Sequence, residues 1–267
     1  MAKKQSAEVV VEGLKKLLIS EEQGLDEEVQ AKVEMLIAEL QGKRPFPPND
    51  PPAQQILDGF HHFKTNIFYK NPECFAALAQ AQHPRFLVIA CSDSRVCPSV
   101  VLNMKPGQAF VTRSIANLVP RGDQPFNTET GAILEYAIKA LKIDNILIVG
   151  HSRCGGIERL MSLPDENGSH SHTFDFIDDW VKIGLPSKHW ILNNHAHLPF
   201  EEQVKFCTQM QVNVSAGNLL TYPFVRDALL RGNLTIRGGY YDFVNGSFDL
   251  WKVFSSPNAP PHLNFGV

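Results

Sequence analysis

The chain has 267 residues, with 25 Lys and Arg residues, 28 Asp and Glu residues and a formal net charge of −3. This balance excludes a strongly basic surface, so we expect no nucleic-acid partner. No apolar run approaches the roughly 18 residues that a membrane-spanning helix needs, so we expect no membrane partner either. The five cysteines are too few, and odd in number, for a disulfide framework, which favours a reducing compartment.

The first 52 residues predict an N-terminal helical arm followed by a linker. One apolar stripe recurs at helical spacing and is formed by Val29, Val33, Leu36 and Leu40. The stripe is narrow, and two interpretations stay open: packing against another surface such as a second subunit, or a solvated hairpin. Five prolines between Pro45 and Pro52 break any helix and predict a proline-rich linker to a catalytic domain over residues 53–267.

Strand patterns alternate with helical patterns in the middle of the chain. Phe86–Ala90 is a continuous apolar run, typical of a strand covered on both faces. Ala109–Arg113 and Asn145–Val149 are two further candidate strands, and apolar residues within Ile133–Leu141 recur at helical spacing. Strands that alternate with helices predict a parallel sheet with right-handed crossovers.

The last part of the chain predicts a β-hairpin. Leu234–Arg237 has the composition of a further strand. The dipeptide Asn245-Gly246 separates Tyr240–Val244 from Ser247–Trp251, and Asn-Gly between two such segments is the strongest short-range hairpin signal. The predicted fold is therefore α/β: a mainly parallel β-sheet flanked by helices, with an N-terminal helical arm and a C-terminal β-hairpin extension.

Two polar clusters directly follow predicted strands. Cys91–Arg95 comes after the first strand, and Gly150–Gly156 comes after the third. Because ligands collect at the carboxyl ends of parallel strands, we expect Cys91, His151 and Cys154 to converge at one edge of the sheet. Two thiolates and one imidazole suit zinc, and three protein ligands leave the open position that is typical of a catalytic site.

Asp93 and Arg95 lie two residues apart beside this predicted zinc site. In an extended loop they would project to the same side, close enough for a bidentate ion pair. Two interpretations of the carboxylate stay open. Asp93 could occupy the open coordination position and block the site, or Arg95 could hold it so that it accepts a hydrogen bond from zinc-bound water.

These residues resemble the β-class carbonic anhydrases, and the plant type in particular. The resemblance covers roughly Gln54 to Trp251, which is most of the chain. Its most specific part is the pattern C-x-D-x-R followed later by H-x-x-C. The segments that carry the similarity are Ala90–Pro98, Ile115–Pro120, Gly150–Gly156, Asp179–Pro186, Asn218–Val225 and Gly238–Val244.

The resemblance implies a zinc-dependent lyase that reversibly hydrates CO2 to bicarbonate and a proton. It implies that one zinc ion per subunit is bound by Cys91, His151 and Cys154. It also implies that a zinc-bound hydroxide attacks CO2, and that a catalytic dyad of Asp93 and Arg95 orients the hydroxide.

The resemblance also implies four residues of the substrate cleft. Gln82 lies nine residues before the first zinc cysteine, where the plant type has a cleft glutamine. The apolar and aromatic cleft residues of the family correspond to Phe110, Ile115 and Tyr136. In the family the cleft forms at a dimer interface, so the implied partner is a second copy of this chain, in a homodimer or a larger assembly of dimers.

Sequence features near the N-terminus bear on localisation. Residues 1–12 lack the apolar segment of a secretory signal, and the early Glu8 and Glu12 are not typical of an organelle transit peptide. The similarity to the plant type implies the chloroplast stroma, with a transit peptide absent or trimmed from this sequence. The alternative is the cytoplasm.

Two alternative functions stay open. The same ligand set could serve a related zinc hydrolase that acts on CS2 or COS, which a long narrow tunnel or a sealed oligomer would favour. The other alternative is a zinc-stabilised binding or scaffold protein without activity. Loss of Asp93 or Arg95 would have suggested this second alternative, and the sequence retains both.

Overall fold

The computed structural model describes residues 10–16, 29, 33, 36–37, 50–123, 129–164 and 174–254. The chain divides into two compact units, Met1–Ala81 and Gln82–Val267. Within the predicted arm, residues 10–16 are helical, and so are three residues of the apolar stripe, Val29, Val33 and Leu36. The fourth stripe residue, Leu40, and the prolines at positions 45, 47 and 48 lie outside the described residues.

Residues 51–80 of the first unit form two helices joined by a turn. Helix α1 spans Pro51–Phe63 and continues as a π-helical turn over Lys64–Phe68, and helix α2 spans Pro72–Gln80. Helix α1 begins inside the predicted linker, because a proline in the first helical turn forfeits no hydrogen bond. The Asp50 side chain caps this helix by accepting a hydrogen bond from the Ala53 amide over 3.1 Å.

Aromatic side chains hold these two helices together. The ring of Phe75 in α2 lies 5.7 Å from the Phe63 ring and 4.7 Å from the Phe68 ring, between centroids. These separations and tilts are the ones at which aromatic pairs attract one another. These rings account for the contact between α1 and α2, whereas Ile56 and Phe60 of α1 stay exposed.

The second unit is built on a five-stranded sheet. Its strands are β1 Phe86–Cys91, β2 Ala109–Ser114, β3 Asn145–His151, β4 Thr235–Asp242 and β5 Ser247–Phe254. Their order is β2-β1-β3-β4-β5; the first four are parallel and β5 is antiparallel to β4. This arrangement confirms the predicted α/β class and the mainly parallel sheet.

Helices and short helical turns flank the sheet. They are α3 Pro98–Val101, a 3-10 turn Ile115–Asn117, α4 Glu129–Glu135 with a π-helical continuation Tyr136–Ala140, α5 Gly155–Ser162, α6 Phe176–Val181 with a 3-10 turn Lys182–Gly184, α7 Leu185–His195, α8 Phe200–Leu219 and α9 Pro223–Leu230. Within the described part of the chain, no helix is both long enough and apolar enough to cross a membrane.

The predicted C-terminal hairpin is confirmed, since β4 and β5 are antiparallel on either side of Asn245-Gly246, but the bounds of its first strand differ from the prediction. The sequence predicted one strand at Leu234–Arg237 and a separate hairpin strand at Tyr240–Val244, but the structure forms one continuous strand. Gly238 and Gly239 do not interrupt it, because they make room for aromatic side chains of β5. A Cβ atom on Gly238 would lie 2.6 Å from Trp251 Nε1, and one on Gly239 would lie 2.8 Å from Phe248 Cζ.

The core lies on both faces of the sheet. All seven residues of β3 are buried, as expected for a central parallel strand covered by helices. Along β1, Leu87 and Ile89 pack with α4, α8 and α9, whereas Val88 packs on the opposite face. This alternation points successive side chains to opposite faces and leaves the carboxyl ends of the strands to carry polar chemistry.

Candidate active site

Three side chains with metal-binding atoms meet at the carboxyl edge of β1 and β3. The sulfur atoms of Cys91 and Cys154 and a ring nitrogen of His151 all lie within 4.8 Å of one another. All three residues are buried. They converge because β1 and β3 are adjacent and parallel, with Ala90 in register with Val149. The predicted convergence at this edge is confirmed.

A tight turn carries the chain from His151 to Cys154. His151 ends β3, and Cys154 is the residue that immediately precedes helix α5. Between them Arg153 adopts a positive φ of 50°, a conformation that non-glycine residues adopt only when their surroundings enforce it. The Ser152 amide fixes the turn by donating a hydrogen bond to the Tyr241 carbonyl over 2.9 Å.

The orientation of His151 leaves one ring nitrogen facing the sulfur atoms. Its Nδ1 lies 2.9 Å from the Ser152 carbonyl oxygen, which can only accept, so Nδ1 carries the proton. Its Nε2 therefore holds a lone pair, and this buried nitrogen has no hydrogen-bond partner among the described residues. A buried lone pair beside two sulfur atoms fits a zinc ligand set, and the carbonyl partner is the support that such histidines usually have.

The two thiols differ in acidity because they share one hydrogen bond. The pKa of Cys91 is lowered to about 4, first because Cys154 donates to it and also because His151 lies beside it. The pKa of Cys154 is raised, since its thiol donates to Cys91 and is buried. A second thiolate beside the first is therefore unfavourable unless a cation compensates both, and a divalent zinc ion would do so.

The loop after β2 adds a hydrogen-bond donor to the Cys91 sulfur. The Ala116 amide donates to Cys91 Sγ over 3.3 Å. Ala116 and Asn117 both have positive φ values, 57° and 47°. Ser215 of α8 holds this strained loop, because its hydroxyl donates to the Asn117 carbonyl over 3.2 Å and accepts from the Val119 amide over 3.3 Å. Helix α8 thereby fixes the surroundings of the first thiol.

Asp93 and Arg95 form a bidentate ion pair beside the cluster. Arg95 Nε donates to Asp93 Oδ1 over 2.9 Å, and Nη2 donates to Oδ2 over 2.7 Å. The Arg95 amide adds a third hydrogen bond to Oδ1 over 2.9 Å. The Arg95 side chain holds the pKa of Asp93 well below its usual range. The predicted bidentate ion pair is therefore formed, and the role of the carboxylate at the metal position stays a prediction.

Comparisons with known proteins agree with this geometry. Residues 86–248 match the family model described as carbonic anhydrase. Over 251 residues the chain is 45% identical to beta carbonic anhydrase 3 of Arabidopsis thaliana, covering 93% of this chain and 95% of that relative. The chain belongs to the β-carbonic anhydrase family. Carbonic anhydrases are lyases and the β class uses zinc, so the Cys91, His151 and Cys154 cluster fits the metal of its family.

Solved structures of the family share the fold. The β-carbonic anhydrase CcaA is 31% identical, with a TM-score of 0.69 over 74% of this chain and 94% of its own. One of two β-carbonic anhydrases from Sordaria macrospora, described as tetrameric, is 28% identical, with a TM-score of 0.66 over 75% of this chain and 97% of its own. The sheet and its helices are therefore those of a β-carbonic anhydrase.

The structure brings together some of the predicted cleft residues of this β-carbonic anhydrase. The rings of Phe110 and Tyr136 lie 5.8 Å apart between centroids. Ile115 precedes the amide that contacts Cys91, and its carbonyl accepts a hydrogen bond from Trp180 Nε1 over 2.9 Å. Gln82 is exposed, and its role stays a prediction.

Two residues at the site, Arg113 and Phe243, were not predicted from the sequence. Arg113 of β2 donates to the backbone carbonyls of Cys91, over 2.8 Å, and of Asp93. Phe243 lies under the Arg95 guanidinium, 4.3 Å from ring centroid to Cζ, and stacks on His151. The signal for Arg113 was its place at the end of a predicted strand, but the register between β1 and β2 is not readable from the sequence.

Proposed function

We propose that the chain catalyses the reversible hydration of CO2 to bicarbonate and a proton, with Asp93 and Arg95 as its catalytic dyad. The observation that carries the proposal is one juxtaposition. The buried, unpartnered Nε2 of His151 faces two thiols, and an aspartate locked by an arginine stands directly beside them. Bound at Cys91, His151 and Cys154, zinc would supply a Lewis acid that makes water a nucleophile near neutral pH.

Asp93 is suited to orient the attacking water. Its lowered pKa keeps it ionised at neutral pH, so it can accept hydrogen bonds but cannot donate them. A carboxylate offers about four acceptor positions. Arg95 occupies three of them, two on Oδ1 and one on Oδ2. The remaining position on Oδ2 would accept an O–H hydrogen bond from the water and direct its lone pair at the carbon of CO2.

Arg95 would keep Asp93 out of the metal position. Its guanidinium is fixed by the Asp93 carboxylate, by the Arg153 carbonyl over 3.2 Å and by the ring of Phe243. An aspartate with both oxygens engaged loses these bonds if it turns toward the cysteines. This arrangement supports an open site over a blocked one, since the bidentate pair is a charge-assisted interaction.

The cleft side chains would receive an apolar substrate. CO2 carries no charge, so we assign its approach to Phe110, Ile115 and Tyr136, of which Ile115 and Tyr136 are exposed. We assign to Gln82 the role of donating a hydrogen bond to an oxygen of the nascent bicarbonate. The support for Gln82 is its position in the sequence, nine residues before Cys91.

The proposal extends to the assembly, the domain organisation and the compartment of the protein. We propose a homodimer or a larger assembly of dimers, supported by the tetrameric Sordaria neighbour. We propose that residues 1–52 form an arm and linker and residues 53–267 the catalytic domain. For the compartment we propose the chloroplast stroma, with the cytoplasm as the alternative, on the support of a plant relative.

Stopped-flow CO2 hydration at pH 8 tests the reaction and the dyad together. We expect fast hydration by the zinc-loaded parent and a loss of roughly 100-fold or more in Asp93→Asn at equal zinc content, because proton-handling groups typically contribute 10²–10⁴-fold. The matched control is Asp123→Asn, which removes the carboxylate of another bidentate pair, with Arg121, and should retain parental activity.

The possible failures of this experiment differ in meaning. A zinc-loaded parent that does not hydrate CO2 contradicts the proposed reaction, and assays with COS and CS2 then test the related hydrolase. Fast hydration by both the parent and Asp93→Asn would leave the reaction in place but remove Asp93 from the mechanism.

A further inference from the structure

A cavity of about 830 Å³ lies at the amino edge of the sheet, away from the metal cluster. Its wall includes Asn145 and Thr235, which begin β3 and β4, whereas the metal cluster lies where β3 ends. Helix α9 and the turn after Ala140 complete the wall. The volume is within the range of about 300–1,000 Å³ that is usual for small-molecule sites.

The wall of this cavity is strongly basic. Five cationic side chains line it, namely Arg85, Lys139, Lys142, Arg231 and Arg237. Only Asp144 and Asp227 oppose them, which leaves an excess of three positive charges in a chain whose net charge is −3. A concentration of one sign of charge in a concave surface raises the local concentration of ions of the other sign.

Two of these cations have carboxylate partners. Lys139 pairs with Glu135 over 2.6 Å, and Arg85 Nε lies 4.0 Å from an Asp144 oxygen. The other three, Lys142, Arg231 and Arg237, form no ion pair with any residue that the structure describes. With Glu135 counted beside Asp144 and Asp227, the described residues around the cavity keep an excess of two positive charges.

Arg237 is the most constrained of the three. It is half-buried within β4, and its guanidinium donates to the neutral side-chain amide of Asn145. It pairs in register with Lys252 of β5, and like charges opposite each other on antiparallel strands are destabilising. The sequence after β5, residues 255–267, contains no Asp or Glu. An anion bound in the cavity would compensate the charge of Arg237, which lines the wall.

Helix ends account for only part of the pattern. Lys142 lies just beyond the C-terminal end of the π-helical turn Tyr136–Ala140, and Arg231 lies at the C-terminal end of α9. A cation at either place complements the helix dipole. This explanation does not extend to Arg237, which lies within a strand, or to Arg85, which precedes one. The basic side chains come from four separate segments that share only the cavity.

We propose that this cavity binds a small organic molecule that carries two phosphate groups. Each phosphate group carries a charge of about −1.5 to −2 near pH 7, so two such groups can pair with Lys142, Arg231 and Arg237, the wall cations that form no ion pair with a described residue. Arginine forks pair with phosphate oxygens bidentately. Phe224 and Ile138, also in the wall, offer apolar contact to the carbon skeleton between the phosphates. The proposal does not depend on the reaction at the metal cluster.

Titration calorimetry of the zinc-loaded full chain with fructose 1,6-bisphosphate tests the proposal. We expect saturable binding of one molecule per chain that weakens as salt is added, and no binding of unphosphorylated fructose. Arg231→Gln and Lys142→Gln should each weaken binding by about tenfold, as expected for loss of a hydrogen bond to a charged group. Arg226→Gln is the matched control: Arg226 is exposed on the same helix but does not line the cavity, so affinity should stay parental.

Two results would overturn the proposal. The first is no saturable binding by the parent; if Arg231→Gln and Lys142→Gln then melt at a lower temperature, the two residues only stabilise the ends of their helices. The second is parental affinity in Arg231→Gln, which would place the bisphosphate elsewhere, the metal cluster included. CO2 hydration, measured in parallel without bisphosphate, reports separately on the metal cluster.

Discussion

At the residue scale, a single hydrogen bond determines what His151 can do. Because the Ser152 carbonyl accepts from Nδ1, Nε2 is left without a proton and turned toward the two sulfur atoms. Burial then makes this lone pair costly to leave unpaired, by roughly 1–3 kcal/mol for a typical buried polar atom. A cation bound to Nε2 would remove this unfavourable free energy.

Cys154 provides the sharpest test of the ligand set at this scale. We expect Cys154→Ser to lose most of its zinc affinity, because a hydroxyl stays protonated where a thiol would give up its proton to the metal. Competition with a chromogenic zinc chelator measures the affinity. The control is Cys207→Ser, since Cys207 is also buried but lies outside the cluster. A Cys154→Ser protein that binds zinc as tightly as Cys207→Ser would contradict the assigned ligands.

At the element scale, the hairpin β4–β5 depends on two glycines. Gly238 faces Trp251, whose indole Nε1 is tied to Asn213 of α8 over 2.8 Å. The indole cannot move aside freely, so the absence of a side chain at Gly238 is what lets β5 pack. The hairpin is thus joined to α8 through the half-buried side chain of Trp251.

Gly238→Ala should destabilise the fold by about 1–3 kcal/mol, the usual cost of overpacking a core. The midpoint of urea denaturation measures the change. Gly217→Ala in α8 is the matched control, because nothing lies within 4 Å of its added Cβ and alanine is favoured over glycine in a helix by roughly 0.5–1 kcal/mol. Opposite signs for the two variants are the expected result, and equal stability of Gly238→Ala and the parent would contradict the packing argument.

The turn of the same hairpin contains a carboxylate that should make the stability of the fold depend on pH. The Asp242 carboxylate accepts hydrogen bonds from the Val244 amide over 2.9 Å and from Asn245 Nδ2 over 2.8 Å. These bonds, the one from the Asn245 side chain first, lower the pKa of Asp242. A folded-state pKa below the unfolded value stabilises the fold above about pH 3.9. This contribution is lost as the pH falls through the folded-state value.

Asp242→Asn should therefore be less stable than the parent at pH 7, by about 1 kcal/mol, with a difference that shrinks below about pH 4. Urea denaturation at pH 7, 5 and 3.5 with matched zinc content measures this difference. Asp249→Asn makes the same change of charge on β5, where the described structure gives the carboxylate no hydrogen bond, and its difference from the parent should stay flat. A constant deficit for Asp242→Asn at all three values would show that the effect is not ionisation.

The elements that could be read from the sequence are those with local signals. Strand β1 is a continuous apolar run, and the cysteine and histidine clusters directly follow strand ends. Helix α8 gave no such signal. Its buried residues belong to two different core clusters, Val204 and Cys207 to one, Val212 and Ala216 to the other, so it has no single apolar stripe. A helix covered on several sides loses the periodicity by which an amphipathic helix is recognised.

At the scale of the second unit, the two ends of the parallel strands carry opposite chemistry. The carboxyl ends hold two thiols, an imidazole and an aspartate, which favour a cation. The amino ends surround a cavity with an excess of positive charge, which favours an anion. The sequence predicted the first end because its residues cluster along the chain. The second end could not be predicted, because its cations come from four separate segments that only the folded sheet brings together.

Zinc removal tests how far the metal cluster stabilises the whole molecule. The cluster joins β1, β3 and the start of α5. A ligand that binds only the folded state stabilises it by an amount that grows with the logarithm of the free ligand concentration relative to Kd. At a free concentration a thousandfold above Kd this amounts to about 4 kcal/mol, or roughly 8–16 °C in melting temperature for a domain of this size. We expect chelation to lower the melting temperature by this order and added zinc to restore it. Cys154→Ser should melt at the same temperature with and without zinc, and a parent that behaved the same way would show that the cluster contributes nothing to the fold.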